Sequence, residues 1–442
     1  MWGHYVELAL RSSQRSKALT VLVVVLIAVG ISACMVSYAA FRATTSDPMP
    51  GKSSRLFVPL VDNVGPSYTY KGEPPDMLSY ADAMAIWKAG KAQRQTILFP
   101  TTWDVESDNV AVPVMSLTGE AVTADFFPMF DIPFRYGSAW SRDDDAKHAT
   151  AVVISKRLND KVFAGRDSTG KELRLDGKLF RIAGVLDAWN PKPRFYDVVQ
   201  NGLENAYDDP GDIFMPLTRA TDMKKDSKYS NCPSDTGWGD VSDWDAYLHS
   251  ECGRFGAWVE LGSPADATAY REFLQHYADE QQRIGRFSWA PAVRLRNLPD
   301  TLTYLGIVPR ASSLSMLISA SFLLIVLVNV VGLMLARFLR RAPEIGIRRA
   351  LGASRAAVYR QFLVEGATMG LVGGLLGVAL TALGVWGISG LFEPKIARLV
   401  HVDASLMLLT LVLAVGSTVV AALYPTWRAA QTQPAWQIKI NG

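Results

Sequence analysis

Four long stretches of the chain contain no Asp, Glu, Lys or Arg, and they dominate its pattern of hydrophobic and polar positions. These stretches are Ala18–Phe41, Ala311–Ala336, Gly366–Phe392 and Ala404–Trp427. Each is longer than the roughly 20 apolar residues that an α-helix needs to cross a bilayer. The first is too long for the apolar part of a signal peptide, so we expect a retained anchor. The pattern therefore predicts a membrane protein with four transmembrane α-helices.

The chain between the first and second predicted spans has the short alternating elements of a folded soluble domain. Strands are expected at Arg55–Asp62, Thr96–Phe99, Val112–Ser116, Glu120–Thr123, Ala151–Ile154, Glu172–Leu175, Leu179–Val185 and Gly256–Leu261. Helices are expected at Leu78–Gly90, Phe126–Phe130, Ser155–Phe163 and Pro264–Gln281. This mixture predicts a large α+β domain with two subdomains, inserted between helices 1 and 2.

The distribution of charge orients the spans. Residues 43–310 carry a net charge of −7, whereas the rest of the chain carries +10, which together give the overall +3. Basic residues beside short loops stay in the cytoplasm. We therefore expect an inner-membrane protein with both termini in the cytoplasm and the large domain in the periplasm. Such basic clusters beside spans do not indicate nucleic-acid binding.

The predicted order of segments follows from these patterns. It runs as an amphipathic cytoplasmic helix (1–17), span 1 (18–41), the periplasmic domain (42–310), span 2 (311–336), a cytoplasmic loop (337–365), span 3 (366–392), a short periplasmic loop (393–403), span 4 (404–427) and a cytoplasmic tail (428–442). The amphipathic segment and the basic flanks are expected to contact membrane lipids.

The cytoplasmic loop 337–365 is strongly basic and patterned. It contains seven arginines but only two carboxylates, those of Glu344 and Glu365. Ile345, Ile347, Ala350 and Leu351 are spaced to form one apolar helix face, and Gly352 is expected to end that helix. Such a helix can dock a cytoplasmic partner. Alternatively, the arginines only anchor the loop to anionic lipid.

The same loop resembles the signature loop of MacB/FtsX-type ABC transporter permeases. The matching run is Glu344, Ile345, Gly346, Ile347, Arg348, Arg349, Ala350, Leu351, Gly352, Ala353 and Ser354. The segments VVISKRL and GKELRLDGKLFRIAGVL, within Ser116–Leu186, also resemble the MacB-type periplasmic core domain. The resemblance implies that the loop is the coupling helix that contacts an ATPase subunit.

The resemblance also implies partners and a function. A cytoplasmic ABC ATPase dimer would bind ATP and Mg, and a second permease subunit would complete the complex. Members of this family often work with a periplasmic adaptor and an outer-membrane channel. The expected function is mechanotransmission that drives efflux of a peptide, drug, toxin or lipid-linked substrate. The alternative is a non-transporting, FtsX-like regulator of a periplasmic enzyme. In either case the ATPase is expected on a separate subunit.

Residues 190–253 depart from the resemblance and form an insert rich in Asp, Tyr, Trp, Pro and Gly. The insert contains Cys232 and Cys252, two of the three cysteines in the chain. Two cysteines in an exported segment indicate a disulfide, the alternative being two free thiols.

Glycines are concentrated in the third span. Gly366, Gly370 and Gly374 recur every four residues and are joined by Gly373 and Gly377. Small residues at this spacing let helices pack closely, although a hinge would use glycine as well. Asn329, deep in the second span, is expected to form a hydrogen bond between helices.

No motif in the sequence predicts catalysis or a cofactor site in this chain. The run from Gly165 to Lys171 spells G-x-x-x-x-G-K, but Glu172 follows where a phosphate-binding loop requires Ser or Thr. The five histidines lack metal-ligand spacing, and a nucleophile motif is also lacking. The sequence therefore predicts a protein that is not itself an enzyme.

Overall fold

The computed structural model describes most of the chain and divides it into two compact units. The described residues are 17–66, 69, 72–106, 113–197, 203–225, 232, 243–307, 310–341, 344–347, 351–352, 354–388, 400 and 402–430. One unit joins Met1–Ser46 with Pro309–Gly442, and the other is Asp47–Val308. This division matches the predicted insertion of a soluble domain between the first and second spans.

The first unit contains four helices long and apolar enough to cross a membrane, within the described residues. They are α1 (Lys17–Thr45), α11 (Arg310–Arg340), α12 (Arg355–Ile388) and α13 (Ala404–Ala430). The four predicted spans are confirmed. Each helix begins or ends several residues away from the charge-free stretch that predicted it, because charged residues continue the helical turns. The amphipathic segment predicted before Lys17 lies outside the described residues.

The second unit is built on a mixed sheet. Its strands are β1 (Leu56–Val61), β2 (Arg94–Glu106), β3 (Met115–Val122), β4 (Phe134–Gly137), β5 (Ala151–Ile154), β6 (Glu172–Leu175), β7 (Lys178–Leu186), β8 (Ile213–Pro216), β9 (Gly256–Glu260) and β10 (Val293–Asn297). Among the described residues these ten strands form a single sheet in the order β10-β1-β9-β2-β3-β8-β5-β7-β4, with β6 paired to β2 and β7. The sequence predicted two subdomains, but in the structure one continuous sheet runs through the described part of the domain.

Short helices connect and cover the strands. They are α2 (Tyr80–Ala89), α3 (Phe126–Met129), α4 (Arg142–Ala146), α5 (Lys156–Phe163), α6 (Leu203–Ala206), α7 (Leu217–Asp222), α8 (Trp244–Leu248), α9 (Pro264–Arg283) and α10 (Leu298–Tyr304). Serine caps begin several of them, as the sequence predicts: Ser79 accepts from the Asp82 backbone N–H, and Ser155 accepts from that of Leu158. The side-chain oxygen replaces the hydrogen-bond partner that a first-turn N–H lacks.

The segment Val112–Thr123, predicted as two short strands, is one strand from Met115 onwards. Gly119 lies in its middle and pairs in parallel with Ile213. A Cβ at this position would overlap the Ile213 carbonyl oxygen. The glycine is therefore required by the close approach of β8 and does not mark a turn.

Both faces of the sheet are covered by apolar side chains. One face packs against α2 and α9 through Ile86, Tyr270 and Leu274. Because side chains alternate along a strand, Phe214 and Trp258 point to the other face. That face carries an aromatic cluster linked by ring contacts of 5.0–6.3 Å between centroids; its members include Phe126, Phe127, Phe130, Trp140, Trp189, Phe195, Tyr196, Phe214 and Trp258.

The insert is fixed to this domain at both of its ends. At the first end, Phe195 and Tyr196 belong to the aromatic cluster, and Arg194 pairs with Asp197 at 2.7 Å with both side chains buried. The neighbouring Glu120 is fully buried, and its burial raises its pKa well above the usual value, with Asp197 adding to the effect. The insert therefore begins on a tightly packed surface.

At its second end the insert is held by an ion pair, and a disulfide joins two positions within it. Arg286 donates to Glu251 and to Asp82, each at 2.7 Å. Cys232 and Cys252 form the predicted disulfide across a sequence separation of 20 residues. In the chain-entropy model a disulfide that closes a loop of this length stabilises the folded state by about 3 kcal/mol. Much of the insert between these anchors lies outside the described residues.

Candidate functional site

The chain between α11 and α12 carries the predicted coupling segment. Residues 344–347 form a helical turn, and the Leu351 N–H donates to the Ile347 carbonyl oxygen at 3.0 Å. Ile347 is 63% exposed and Leu351 is 83% exposed. Two large apolar side chains therefore face outwards at this point of the chain.

The predicted apolar face is divided between two environments. Ile345 is only 7% exposed and belongs to a core cluster with Phe338, Val358 and Phe362. The rings of Phe338 and Phe362 lie 4.3 Å apart between centroids. The expectation that Ile345 forms part of the docking face was wrong: this side chain anchors the segment to the helices, and Ile347 and Leu351 remain outside.

The turn into α12 follows the predicted chemistry. Gly352 has a φ of +101°, in the region that favours glycine. Ser354 then caps α12, because its hydroxyl accepts from the Ala357 N–H at 3.2 Å. Glu344 and Gly346 are half-buried in the turn before it. The remaining predicted coupling residues, Arg348, Arg349, Ala350 and Ala353, lie outside the described residues.

A buried carboxylate joins the two helices at the base of this segment. Glu365 on α12 is fully buried, and its Oε1 lies 2.6 Å from Arg337 Nη2 and 3.2 Å from Arg341 Nη1. Arg337, on α11, is itself buried and also reaches Met369 Sδ at 3.1 Å. We call these three residues the Arg–Glu–Arg cluster.

The cluster corrects the sequence interpretation of Arg337 and Glu365. Both were assigned to the cytoplasmic loop, where Arg337 counted as one of seven basic residues. In the structure they lie between α11 and α12 and are shielded from solvent. Taking such charges out of water is costly unless each is paired, so the pair fixes how the two helices meet. A signal was present in the sequence: arginines at the end of one predicted span and a carboxylate at the start of the next flank the same loop.

The glycines of the third span lie where helices come together. A Cβ at Gly374 would lie 2.8 Å from Ala414 Cβ, and one at Gly366 would lie 3.1 Å from Ala422 Cβ. At Gly370 it would overlap the Thr418 hydroxyl. These three glycines therefore face α13, and larger residues there would separate the two helices.

The other two glycines face the first helix. A Cβ at Gly373 would lie 3.0 Å from Ile27 Cγ2, and one at Gly377 would lie 3.6 Å from the Ala28 carbonyl oxygen. Near the opposite end of the unit from the Arg–Glu–Arg cluster, Arg42 at the end of α1 binds Asp403 at 2.5 Å. The hydrogen bond from Arg42 lowers the pKa of Asp403, which holds it ionised. Close packing at these glycines and the ion pair between Arg42 and Asp403 therefore join α1, α12 and α13.

Asn329 does not form the hydrogen bond within the bundle that the sequence predicts. Its side chain is exposed on the outer surface of α11, whereas Val326 and Val330 on the same helix are buried. Among the described residues, no hydrogen-bond partner contacts the Asn329 amide.

The soluble domain offers no alternative chemical centre in the part of the chain that the structure describes. Its described residues contain no group of three or more His, Cys, Asp or Glu that could hold a metal ion. The G-x-x-x-x-G-K run is a closed turn, because Ser168 is buried and donates to Asn159 Oδ1 at 2.6 Å. It leads into strand β6, whereas a phosphate-binding loop leads into a helix.

Comparisons with known proteins identify both units. Residues 19–277 match the model of the MacB-like periplasmic core domain, and residues 316–434 match that of the FtsX-like permease C-terminal domain. Two relatives are named macrolide export ATP-binding/permease protein MacB. The one from Bdellovibrio bacteriovorus is 24% identical over 68% of this chain and 40% of its own length. The one from Rhodopirellula baltica is 24% identical over 55% of this chain and 34% of its own length.

One solved structure that the comparison matched is the periplasmic region of MacB from Actinobacillus actinomycetemcomitans. It is 12% identical, with a TM-score of 0.37, and the match covers 59% of this chain and 96% of that one. The chain spans about two fifths or less of the length of the two curated relatives. The core-domain match alone covers more than half of the chain. The chain therefore belongs to the MacB-like periplasmic core domain family and, with its FtsX-like domain, is a multi-pass inner-membrane permease of the MacB/FtsX type.

Proposed function

We propose that this permease transmits the ATP-driven motion of a cytoplasmic ABC ATPase dimer to its periplasmic domain. The ATPase binds ATP and Mg, and its movement is received by residues 344–354. The transmitted motion drives export of a periplasmic substrate such as a peptide, drug, toxin or lipid-linked molecule. A periplasmic adaptor and an outer-membrane channel complete the export route.

This proposal rests on the exposed side chains of Ile347 and Leu351, next to Ile345, which is packed against α11 and α12. Large apolar side chains that are 63% and 83% exposed are suited to burial against a partner protein. Ile345 holds the segment to α11 and α12, and the Arg–Glu–Arg cluster joins these two helices beside it. A push on this segment would therefore move both helices, because neither contact can yield without exposing a buried group. The names of the relatives, which combine ATP binding with macrolide export, support an ATP-driven export function.

The proposed orientation gives a first prediction. Reporter fusions ending at Gly165 should be active in the periplasm, and fusions ending at Gly352 should be active in the cytoplasm. The reason is the positive-inside rule, given the basic residues beside α11 and α12. The measurement is a paired assay with alkaline phosphatase and green fluorescent protein. The same side for both fusion points would exclude the proposed arrangement of spans.

A second prediction concerns the partners. Purification of the permease from native membranes, followed by mass spectrometry, should recover an ABC ATPase together with a periplasmic adaptor. The matched control is the Leu351→Asp variant, from which the ATPase should be lost. Recovery of a periplasmic hydrolase or a sensor kinase in place of the adaptor would instead identify a mechanical regulator. Recovery without any ATPase would contradict the proposal in either form.

A further inference from the structure

A cavity lies at one edge of the sheet of the soluble domain, where two parallel strands end side by side. Strands β5 and β7 are parallel, with Ile154 paired to Val185 near their carboxyl ends. Strand β8 begins at the same edge, as the hydrogen bond of 2.9 Å from the Ser155 N–H to the Asp212 carbonyl oxygen shows. The cavity has a volume of about 490 Å³, within the range of roughly 300–1,000 Å³ for small-molecule sites. Ligands often bind outside the carboxyl ends of parallel strands, where the strand direction changes.

The insert supplies part of the cavity wall. Among the described residues, the cavity is lined by the start of α5, by the chain that leaves β7 at Trp189 and Asn190, and by the chain that enters β8 at Asp209–Gly211. Asn190 and Asp209–Gly211 belong to the insert, where the sequence departs from the family resemblance. The shape of this cavity therefore depends on a segment that the resemblance does not explain.

Trp189 provides an aromatic surface that is fixed before any ligand binds. Its ring stacks on that of Tyr196, with 5.0 Å between centroids and an angle of 27°. Phe126 and Phe214 contact it edge-on at 6.2 and 6.3 Å. The side chain is half-buried and lines the cavity, and among the described residues its indole N–H has no hydrogen-bond partner. The rest of the ring and this N–H are therefore available to a ligand.

Ion pairs make the α5 side of the cavity rigid. Arg157 donates to both carboxylate oxygens of Asp212, at 2.7 and 3.0 Å, and Asp212 is buried. Lys156 pairs with Asp160 at 2.7 Å. Because each cation already has a carboxylate partner, these four side chains contribute fixed donors and acceptors with little net charge.

The insert side of the cavity adds acceptors. Asn190 donates to Asp209 at 3.1 Å, and Lys192 binds the same carboxylate at 3.3 Å. The amide oxygen of Asn190 accepts no hydrogen bond from the described residues. Asp187 is exposed at the cavity, and its carboxylate makes no ion pair or hydrogen bond within the described part of the chain. The cavity thus combines one aromatic surface with free acceptors and a free donor.

This combination selects among classes of ligand. An anion would meet four carboxylates in the lining, those of Asp160, Asp187, Asp209 and Asp212. An organic cation would find three of these four already bound to lysine or arginine. A pyranose sugar has an apolar face of C–H groups, and its hydroxyls both donate and accept, so it complements an indole ring beside mixed polar groups.

We propose that this cavity binds a hexopyranose unit of a saccharide, with its apolar face against Trp189 and its hydroxyls bonded to Asp187 and Asn190. A glycan of the cell wall and a sugar-bearing lipid both present such a unit. The site lies within the soluble domain and does not depend on contact with an ATPase, so its failure would leave the coupling function untouched.

Saturation-transfer NMR tests the proposal on the full-length protein in phosphatidylcholine nanodiscs, a medium without sugar headgroups. The probes are N,N′-diacetylchitobiose, maltose and methyl β-glucoside, and at least one should receive saturation from the protein. No transfer to any of them at millimolar concentration would overturn the proposal. Binding of spermidine or inorganic phosphate at this cavity in place of the sugars would overturn it as well.

Substitutions locate the binding. Trp189→Ala should weaken binding of the responding sugar about 10-fold, and Trp189→Phe, which keeps a ring against Tyr196, should weaken it less. Asp187→Ala should also weaken it about 10-fold through loss of a charged acceptor. The matched control is Asp279→Ala, an exposed carboxylate on α9, which should bind like the wild type. Unchanged affinity in both Trp189→Ala and Asp187→Ala would contradict the assignment of the sugar to this cavity.

A competition experiment separates the two sources of the sugar. Vesicles that carry a glycosyl diacylglycerol should displace the probe, and plain phosphatidylcholine vesicles should not, if the natural ligand is a sugar-bearing lipid. Displacement by soluble cell-wall glycan fragments alone would assign the site to a glycan. Either result supports a saccharide site, whereas equal displacement by plain vesicles would contradict it.

Discussion

Replacing Glu365 by alanine is expected to destabilise the membrane unit by about 3–5 kcal/mol, the usual cost of breaking a buried ion pair. The substitution would leave the buried guanidinium of Arg337 without the carboxylate that lies 2.6 Å from it. Arg341 would lose the same partner. We expect lower permease levels in the membrane and a lower midpoint in a detergent thermal-shift assay. The matched control is Arg340→Ala, an exposed arginine at the end of α11, which should stay near wild type.

A double substitution separates the ion pair from a simple loss of packing. Arg337→Met combined with Glu365→Leu removes both buried charges and keeps apolar volume between the helices. Replacement of a buried pair by apolar residues is often neutral or stabilising. The double variant should therefore be more stable than Glu365→Ala and than Arg337→Met alone. Additive losses would show that the two charges do not act on each other.

The sequence predicted the architecture well where local chemistry determines it. The four charge-free stretches predicted the four helices, because the hydrocarbon core of a bilayer, about 30 Å thick, excludes unpaired charge. Ser79 and Ser155 marked helix starts, because a serine hydroxyl satisfies the first free N–H groups. Asp176 and Gly177 form the turn between the two predicted strands that became β6 and β7, and both have positive φ. These features depend on residues that are close together in the chain.

Features that depend on distant residues were missed. Two strands were predicted on either side of Gly119, but this glycine lies within one strand, and its role is set by Ile213, nearly a hundred residues further along. Arg337 and Glu365 were assigned to the loop because a charge at the end of a span usually reaches the membrane surface. Their burial follows from the packing of α11 against α12. Ile345 and Asn329 were misplaced for the same reason: spacing gives the face of a helix but does not say what that face contacts.

The central claim is that the segment 344–354 receives an ATPase. If so, Leu351→Asp would place a carboxylate in a desolvated contact, since this side chain is 83% exposed in the free permease. We expect the variant to insert normally but to lose roughly 3 kcal/mol of binding free energy, about 100-fold in affinity for the ATPase. Arg340→Gln should lose far less, because each basic residue near an anionic surface is worth about 1 kcal/mol.

The most direct measurement is co-purification of the ATPase with wild type, Leu351→Asp and Arg340→Gln, normalised to the amount of permease in the membrane. The docking account predicts that Leu351→Asp retains normal membrane levels but loses the ATPase, while Arg340→Gln keeps it. Normal ATPase recovery with Leu351→Asp, together with loss in Arg340→Gln, would contradict docking. That outcome would support a loop whose arginines only hold it to the lipid surface.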